Sequence, residues 1–296
     1  MKKILPILRL LRPEQWLKNG FVLAPLFFSG GALNRDALIA ALGAFAAFCF
    51  LASAVYVFND IHDLDADREH AKKKTRPLPS GQVSVGLAWA LVPVLAGLAG
   101  AIAMATGLPV MFYAAGGIYA GVNIAYTLGL KHVALVELVL VASGFVIRLI
   151  AGAIAANVVL SPWIILMTGT LALLLVTGKR RADVAQAADP KTKRRALADY
   201  STTFLDQLIT MLSAVTLVAY VLYCVSDHGV GRYGNLILLT AVFVVLGVMR
   251  YLQIVLVQGG GDSPTTLAVR DPVMAGTFVL WLVTFGALIY GEALLP

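Results

Sequence analysis

Charge is scarce in this chain. Asp, Glu, Lys and Arg make up only 13% of its 296 residues, and apolar residues make up 59%, against about 25% charged and about 45–50% apolar in soluble domains. With mean hydropathy at +0.85, a purely soluble globule is excluded and lipid is the natural solvent for most of the chain. Cysteine is nearly absent: Cys49 and Cys224 both lie inside apolar runs, which excludes a disulfide framework and a thiolate zinc site. The four histidines, His62, His70, His132 and His228, match no zinc spacing and are read as non-ligands. No Ser/His/Asp triad is evident. No small-residue cleavage site follows Met1–Leu11, where Arg12, Glu14, Gln15 and Lys18 come next, so a cleaved signal peptide is not expected.

What the sequence does have is long apolar blocks. A bilayer-spanning helix needs about 20 mostly apolar residues. Nine segments qualify: Asn19–Leu33, Ala37–Phe58, Val83–Ala105, Leu108–Leu128, Val133–Ala156, Pro162–Thr177, Gln207–Val225, Tyr233–Leu256 and Val273–Leu294. The first is short for a span. The expectation is an all-α integral membrane protein of nine transmembrane helices, forming one domain over 1–296.

Charge asymmetry tests that count. With nine crossings, one face receives the N-terminus and the stretches 59–82, 129–132, 178–206 and 257–272. Nearly all the lysines and arginines fall there, while the opposite face keeps Arg35 and Arg232. The positive-inside rule makes the first face cytoplasmic, so the chain is expected to be a multi-pass protein of the cell inner (plasma) membrane. The net charge of +7 is then explained by topology and anionic headgroups, and no nucleic-acid partner is expected. Carboxylates follow no such rule, yet Asp60, Asp63, Asp65, Asp67, Glu69, Asp183, Asp189, Asp199, Asp206, Asp262 and Asp271 gather on or beside the same face. That asks for a second cause, and a metal-and-phosphate site supplies one.

Asn59-Asp60-x-x-Asp63-x-x-x-Asp67 begins where the second apolar segment ends. If the helix continues, Asn59, Asp63 and Asp67 stack on one face, where like charges repel. A divalent cation resolves the repulsion: Mg²⁺ takes one or two carboxylates, keeps waters and completes its shell with substrate phosphate. Lys72, Lys73, Lys74 and Arg76 follow directly, placed to neutralise phosphate oxygens. A second basic stretch, Gly178-Lys179-Arg180-Arg181-Ala182-Asp183, reads as the other wall of a phosphate site. Arg148 lies mid-span, where an ionisable group is by default a functional hypothesis. Asn123 and Tyr126 fit packing and function equally well. A carrier is disfavoured, because carriers place their sites near the midplane and here the acids collect at one face.

The first Asp-rich stretch, with Arg76-Pro77-x-x-Ser80-Gly81, resembles the signature of UbiA-type intramembrane prenyltransferases. Tyr126-Thr-Leu-Gly-Leu-Lys131-His132 and Arg148-x-x-Ala151-Gly152 resemble the same superfamily. The stretches Leu11-Arg12-Pro13-Glu14-Gln15-Trp16-Leu17-Lys18-Asn19, Gly178-Lys179-Arg180-Arg181-Ala182-Asp183, Tyr200-Ser201-Thr202 and Gly261-Asp262-Ser263-Pro264-Thr265 are similar to the decaprenyl-phosphate phosphoribosyltransferase branch. One departure stands out: a second Asp-x-x-x-Asp is incomplete here, since position 187 is Ala and Asp183 is followed by Asp189. This suits the phosphoribosyl branch better than prenyl-diphosphate handling.

The resemblance implies Mg²⁺-dependent transfer of 5-phosphoribose from 5-phosphoribosyl 1-diphosphate to a polyprenyl phosphate, with release of diphosphate. The alternative on the same fold moves a prenyl group from a prenyl diphosphate to an aromatic acceptor. Within this reading Asn59, Asp60, Asp63 and Asp67 are catalytic. Asn59, Asp63, Asp67 and Asp183 are the metal ligands. Lys72, Lys74 and Arg76 bind the sugar phosphate, and Lys18, Arg148, Lys179 and Arg180 the second anion, with Tyr126 and Tyr200 positioning substrate. No general base is needed, because a phosphate monoester is already ionised near neutral pH. Membrane lipids are the surrounding partners, and a homo-oligomer is compatible with the sequence.

Overall fold

The computed structural model describes residues 4–70, 73–186, 195–261, 267 and 270–294. Among these every regular element is helical, as lipid demands of a backbone that must satisfy its own hydrogen bonds. In chain order the α-helices are α1 (Ile4–Leu11), α2 (Ala24–Phe28), α3 (Arg35–His62), α4 (Leu64–Glu69), α5 (Val85–Ala105), α6 (Val110–Leu128) and α7 (Val136–Ala156). There follow α8 (Pro162–Gln186), α9 (Arg195–Ala198), α10 (Thr202–Val225), α11 (Asp227–Tyr233), α12 (Ala241–Leu252) and α13 (Pro272–Leu294). Among the described residues seven helical segments are long and apolar enough to cross a membrane: α3, α5, α7, α8, α10, the run 235–257 and α13. Helix α6 has 19 residues, but Tyr113, Tyr119, Asn123 and Tyr126 dilute its hydropathy.

The ends of these helices follow from sequence. Side chains of Asn34, Ser84 and Ser201 accept hydrogen bonds from the backbone amides of Ala37, Leu87 and Phe204, capping α3, α5 and α10. Asp271 does the same for Met274 at the start of α13, at 2.9 Å.

The chain divides into two compact units, one of residues 1–130 with 147–160 and one of residues 131–146 with 161–296. In the first unit the predicted span Asn19–Leu33 is not one helix. It is broken into a 3₁₀ run (Pro13–Val22), the short α2 and a 3₁₀ turn (Gly31–Leu33). Pro25 and Gly30 sit at the breaks: Pro25, with its fixed φ, lies in the first turn of α2, and Gly30 sits at φ 78°, which favours glycine.

Broken as it is, the segment lies antiparallel along α3. Arg12 pairs with Asp60, Trp16 Nε1 donates to Ser53 Oγ at 3.0 Å, and Asn19 Nδ2 to Cys49 Sγ at 3.3 Å. Leu26 packs on Ala41. At about 1.5 Å per residue, the 28 residues of α3 exceed the ~30 Å hydrocarbon core, and the broken segment tracks most of that length.

The core of this unit is rich in small residues: Ala44, Ala47, Ala52, Ala99, Ala103, Ala115 and Ala151 surround Phe48, Phe112 and Tyr119. In lipid, helices associate through close van der Waals packing rather than exclusion of water, and small side chains permit that approach. Gly152 is the extreme case. A Cβ there would lie 1.9 Å from the Val22 carbonyl oxygen. The second unit packs Leu138, Val176, Leu197, Tyr200 and Leu205 in one cluster, and Leu174, Ile209, Leu212, Tyr251 and Val255 in another.

Candidate active site

In the first unit, α3 ends at His62 with Asp63 as its C-cap, and α4 starts at once. Two backbone bonds bridge the junction. The Asp63 amide donates to the Asn59 carbonyl at 2.9 Å, and the Asp67 amide to the Asp63 carbonyl at 2.8 Å. These two i→i−4 bonds link Asn59, Asp63 and Asp67 at one-turn intervals, with Asp63 itself at φ −90° and ψ 8° between the two helices.

Cations answer the stacked carboxylates. Asp60 and Asp67 are each only 2% exposed. Arg76 Nη1 reaches both, at 2.7 Å from Asp67 Oδ2 and 3.4 Å from Asp60 Oδ1. Arg12 pairs with the same Asp60 oxygen, Oδ1, and lies over the Tyr56 ring, 5.3 Å from its centroid. Lys73 Nζ stands 3.2 Å from Asp67 Oδ1. The result is an alternating series Arg12–Asp60–Arg76–Asp67–Lys73. Such pairs recover the cost of removing carboxylates from water only when both partners are well placed. The Asn59 side-chain oxygen accepts from Thr127 Oγ1 at 3.1 Å, tying the motif to the end of α6.

The fit to a metal follows from these donors. Among the described residues no three His, Cys, Asp or Glu side chains gather closely enough to hold an ion by themselves. The oxygens of Asn59, Asp63 and Asp67 suit a hard cation that keeps waters and borrows substrate oxygens. The residues therefore suit a divalent cation with an open shell and form no closed protein cage, and in this structure both Asp67 oxygens are taken by Lys73 and Arg76.

The other expected positions in this unit are scattered. Lys18 and Tyr126 are half-buried, Lys74 is exposed, and Lys72 lies outside the described residues. Arg148 is buried, with Nε donating to Asn19 Oδ1 at 2.7 Å and Nη2 to Tyr119 Oη at 2.8 Å. Its guanidinium also stacks on the Tyr119 ring at 4.6 Å. It thereby pins the broken first segment, α6 and α7 together.

In the second unit Arg180 is buried near the C-terminal end of α8. Its Nε and Nη2 each stand 2.6 Å from the two carboxylate oxygens of Glu137 on α7, and its Nη1 is 2.7 Å from Asp183 Oδ2. Arg181 pairs with Asp206 at 2.7 Å and donates to the Val255 carbonyl at 2.9 Å. Lys179 is exposed. Gly178 admits the Tyr251 hydroxyl, which would stand 2.0 Å from a Cβ at that position. Tyr200 Oη accepts a bond from the Leu135 amide at 2.6 Å, and burial pushes its phenol pKa up. Residues 187–194 and 262–266, with Asp189 and Asp262, lie outside the described residues.

Two contributors were not foreseen. Glu137 is a lone acid in an apolar segment, fully buried, and the reasoning that singled out Arg148 applies to it equally. Arg12 carried a signal too, since it sits in a motif-like N-terminal stretch. Only the fold, however, brings it to Asp60, 48 residues away in sequence.

Comparison with known proteins decides the family. Residues 20–260 match the UbiA prenyltransferase family. The chain belongs to that family. It is 34% identical over 289 residues to a decaprenyl-phosphate phosphoribosyltransferase of Mycobacterium tuberculosis, covering 95% of this chain and 93% of that one. A Corynebacterium glutamicum protein of the same name is 32% identical, covering 96% and 86%. In fold it is similar to a UbiA homolog from Archaeoglobus fulgidus solved with DMAPP and Mg²⁺. There the TM-score is 0.72 at 20% identity, covering 97% of this chain and 99% of that one. A multi-pass membrane enzyme of the UbiA family is therefore the frame in which both clusters are to be read.

Proposed function

We propose that this UbiA-family enzyme transfers 5-phosphoribose from 5-phosphoribosyl 1-diphosphate to a polyprenyl phosphate of decaprenyl type, with Mg²⁺, at the cytoplasmic face of the inner membrane. The observation that carries the reading is the set Asn59, Asp63 and Asp67, linked by i→i−4 backbone bonds across the α3–α4 junction, with Arg76 and Lys73 at Asp67. The near-full-length likeness to the phosphoribosyltransferases supports it.

The reaction is a displacement. An oxygen of the lipid phosphate forms a bond to C1 of the ribose, the bond from C1 to the diphosphate oxygen breaks, and diphosphate leaves with the electron pair. Asn59, Asp63 and Asp67 would hold magnesium, which would stabilise the departing charge. Arg76 and Lys73 already stand at the carboxylate stack and supply donors for diphosphate oxygens. Lys74 is exposed beside them to receive the 5-phosphate. Orientation of two anionic substrates then supplies much of the rate.

The test uses purified protein in detergent with polyprenyl phosphate, 5-phosphoribosyl 1-diphosphate and Mg²⁺, following diphosphate release. Release that requires both substrates and the metal is expected. Turnover of a prenyl diphosphate with an aromatic acceptor, and none of 5-phosphoribosyl 1-diphosphate, would move the chain to the prenyl-transfer reading. Asp63→Asn is expected to lower turnover by about 100-fold while leaving the melting temperature unchanged, and wild-type turnover in that variant would remove Asp63 from the metal.

A further inference from the structure

We propose that Arg12 is a substrate-binding residue, which joins Arg76 in a two-arginine clamp on the diphosphate. The inference rests on the reading of the stretch 59–76 as a diphosphate site, and both arginines belong to the first unit.

Arg12 and Arg76 meet on a single atom. Arg12 Nη2 pairs with Asp60 Oδ1. Arg76 Nη1 stands 3.4 Å from the same oxygen and 2.7 Å from Asp67 Oδ2. Each guanidinium carries five N–H donors in a fixed fork. Arg76 spends one nitrogen on both acids, so among the described residues its Nε–Nη2 edge has no hydrogen-bond partner. Arg12 spends Nη2, and its Nε and Nη1 are likewise unspent among the described residues. Its stacking on the Tyr56 ring occupies the face of the guanidinium and leaves the edge open.

One carboxylate oxygen thus sets two arginines side by side, each with donors to spare. Asp60 is only 2% exposed, whereas the Arg12 and Arg76 side chains keep 19% and 33%. The acid lies beneath and the unspent donors belong to the accessible side. Two such forks match the oxygens of a phosphate group.

The backbones that carry the two arginines are held independently of any ligand. Leu10 and Leu78 pack in one cluster with Ala54, Val57 and Val83, which draws the end of α1 and the turn after Arg76 onto the same stretch of α3. The Leu11 carbonyl accepts from Ser53 Oγ at 2.8 Å. The Arg76 carbonyl accepts from Ser80 Oγ at 2.6 Å and from the Ser80 amide at 3.0 Å. Arg12 itself is left-handed, at φ 52° and ψ 59°, an unfavourable conformation for a residue other than glycine. Residues held in such conformations cluster at ligand clamps.

A purely structural Arg12–Asp60 pair makes a different prediction. The experiment titrates the full chain in detergent with inorganic diphosphate, and separately with ribose 5-phosphate, by calorimetry with Mg²⁺ present. Wild type is compared with Arg12→Gln and Arg12→Lys, and melting temperatures are measured alongside. Arg12→Gln is expected to bind diphosphate about 10–100-fold more weakly. Lysine keeps the charge and the pair with Asp60 but not the fork. Arg12→Lys is therefore expected to melt as wild type does and to recover only part of the affinity.

A structural pair predicts instead a lower melting temperature in Arg12→Gln with unchanged affinity. Wild-type diphosphate affinity in either variant overturns the proposal, so Arg12→Lys decides if Arg12→Gln does not fold. A wild-type protein that binds no diphosphate overturns it too, as does a loss confined to ribose 5-phosphate. Failure of the phosphoribosyl reading looks different: diphosphate binding responds to Arg12, yet the wild type transfers no phosphoribose.

Discussion

Arg148 and Asp271 illustrate what single residues do here beyond the chemistry. Arg148 was expected to receive an anion, and its donors to Asn19 and Tyr119 give it a structural task as well. Arg148→Met leaves the Asn19 oxygen and the Tyr119 hydroxyl without that partner in a buried setting, at about 1–3 kcal/mol for each group left unsatisfied. A clear fall in melting temperature in detergent is expected, and an unchanged value would refute the pinning role. Asp271 lies just ahead of α13, where the Arg250 side chain and the Met274 amide bond its carboxylate and lower its pKa from 3.8 to about 2. A lowered folded-state pKa stabilises the fold fully above about pH 4, and that contribution is lost as pH falls toward 2. Melting curves between pH 5 and pH 2.5 should therefore be less pH-dependent in Asp271→Asn than in wild type. Equal slopes would show that the ion pair contributes nothing.

Elements were legible from hydropathy only as far as hydropathy reports backbone geometry. The long spans are where apolar runs placed them, because about 20 apolar residues in lipid have little alternative to a helix. Errors arise where other forces govern. Helix α8 runs past Thr177 to Gln186 because Lys179, Arg180, Arg181 and Ala182 are good helix formers, and Arg180 and Asp183 pair at i,i+3. The first segment looked like a short span because hydropathy does not weigh Pro25 or Gly30. Its broken form depends on close approach at Gly152. Gly152→Ala sets a Cβ against the Val22 backbone, which cannot step aside, whereas Gly178→Ala meets the Tyr251 side chain. We expect Gly152→Ala to abolish the folded protein in size-exclusion profiles. Gly178→Ala should be destabilised but partly rescued by Tyr251→Phe, which removes the hydroxyl in contact. Equal tolerance of alanine at both positions would contradict this account of the packing.

For the molecule as a whole, the proposed metal site was readable because Asn59, Asp63 and Asp67 are close in sequence and i→i−4 backbone bonds link them. The partners that hold the stack were less readable. Arg12 is distant in sequence from Asp60, and Glu137 from Arg180, and only tertiary structure joins them. The family was legible all the same, since its motifs run over nearly the whole chain. What it leaves to experiment is the identity of the transferred group. The measurement that addresses it most directly is mass spectrometry of the lipid extract after purified protein has been incubated with polyprenyl phosphate, 5-phosphoribosyl 1-diphosphate and Mg²⁺. The account predicts a lipid heavier by one phosphoribosyl group, absent without metal. A lipid fraction unchanged in mass, from folded protein that instead prenylates an aromatic acceptor, would contradict it.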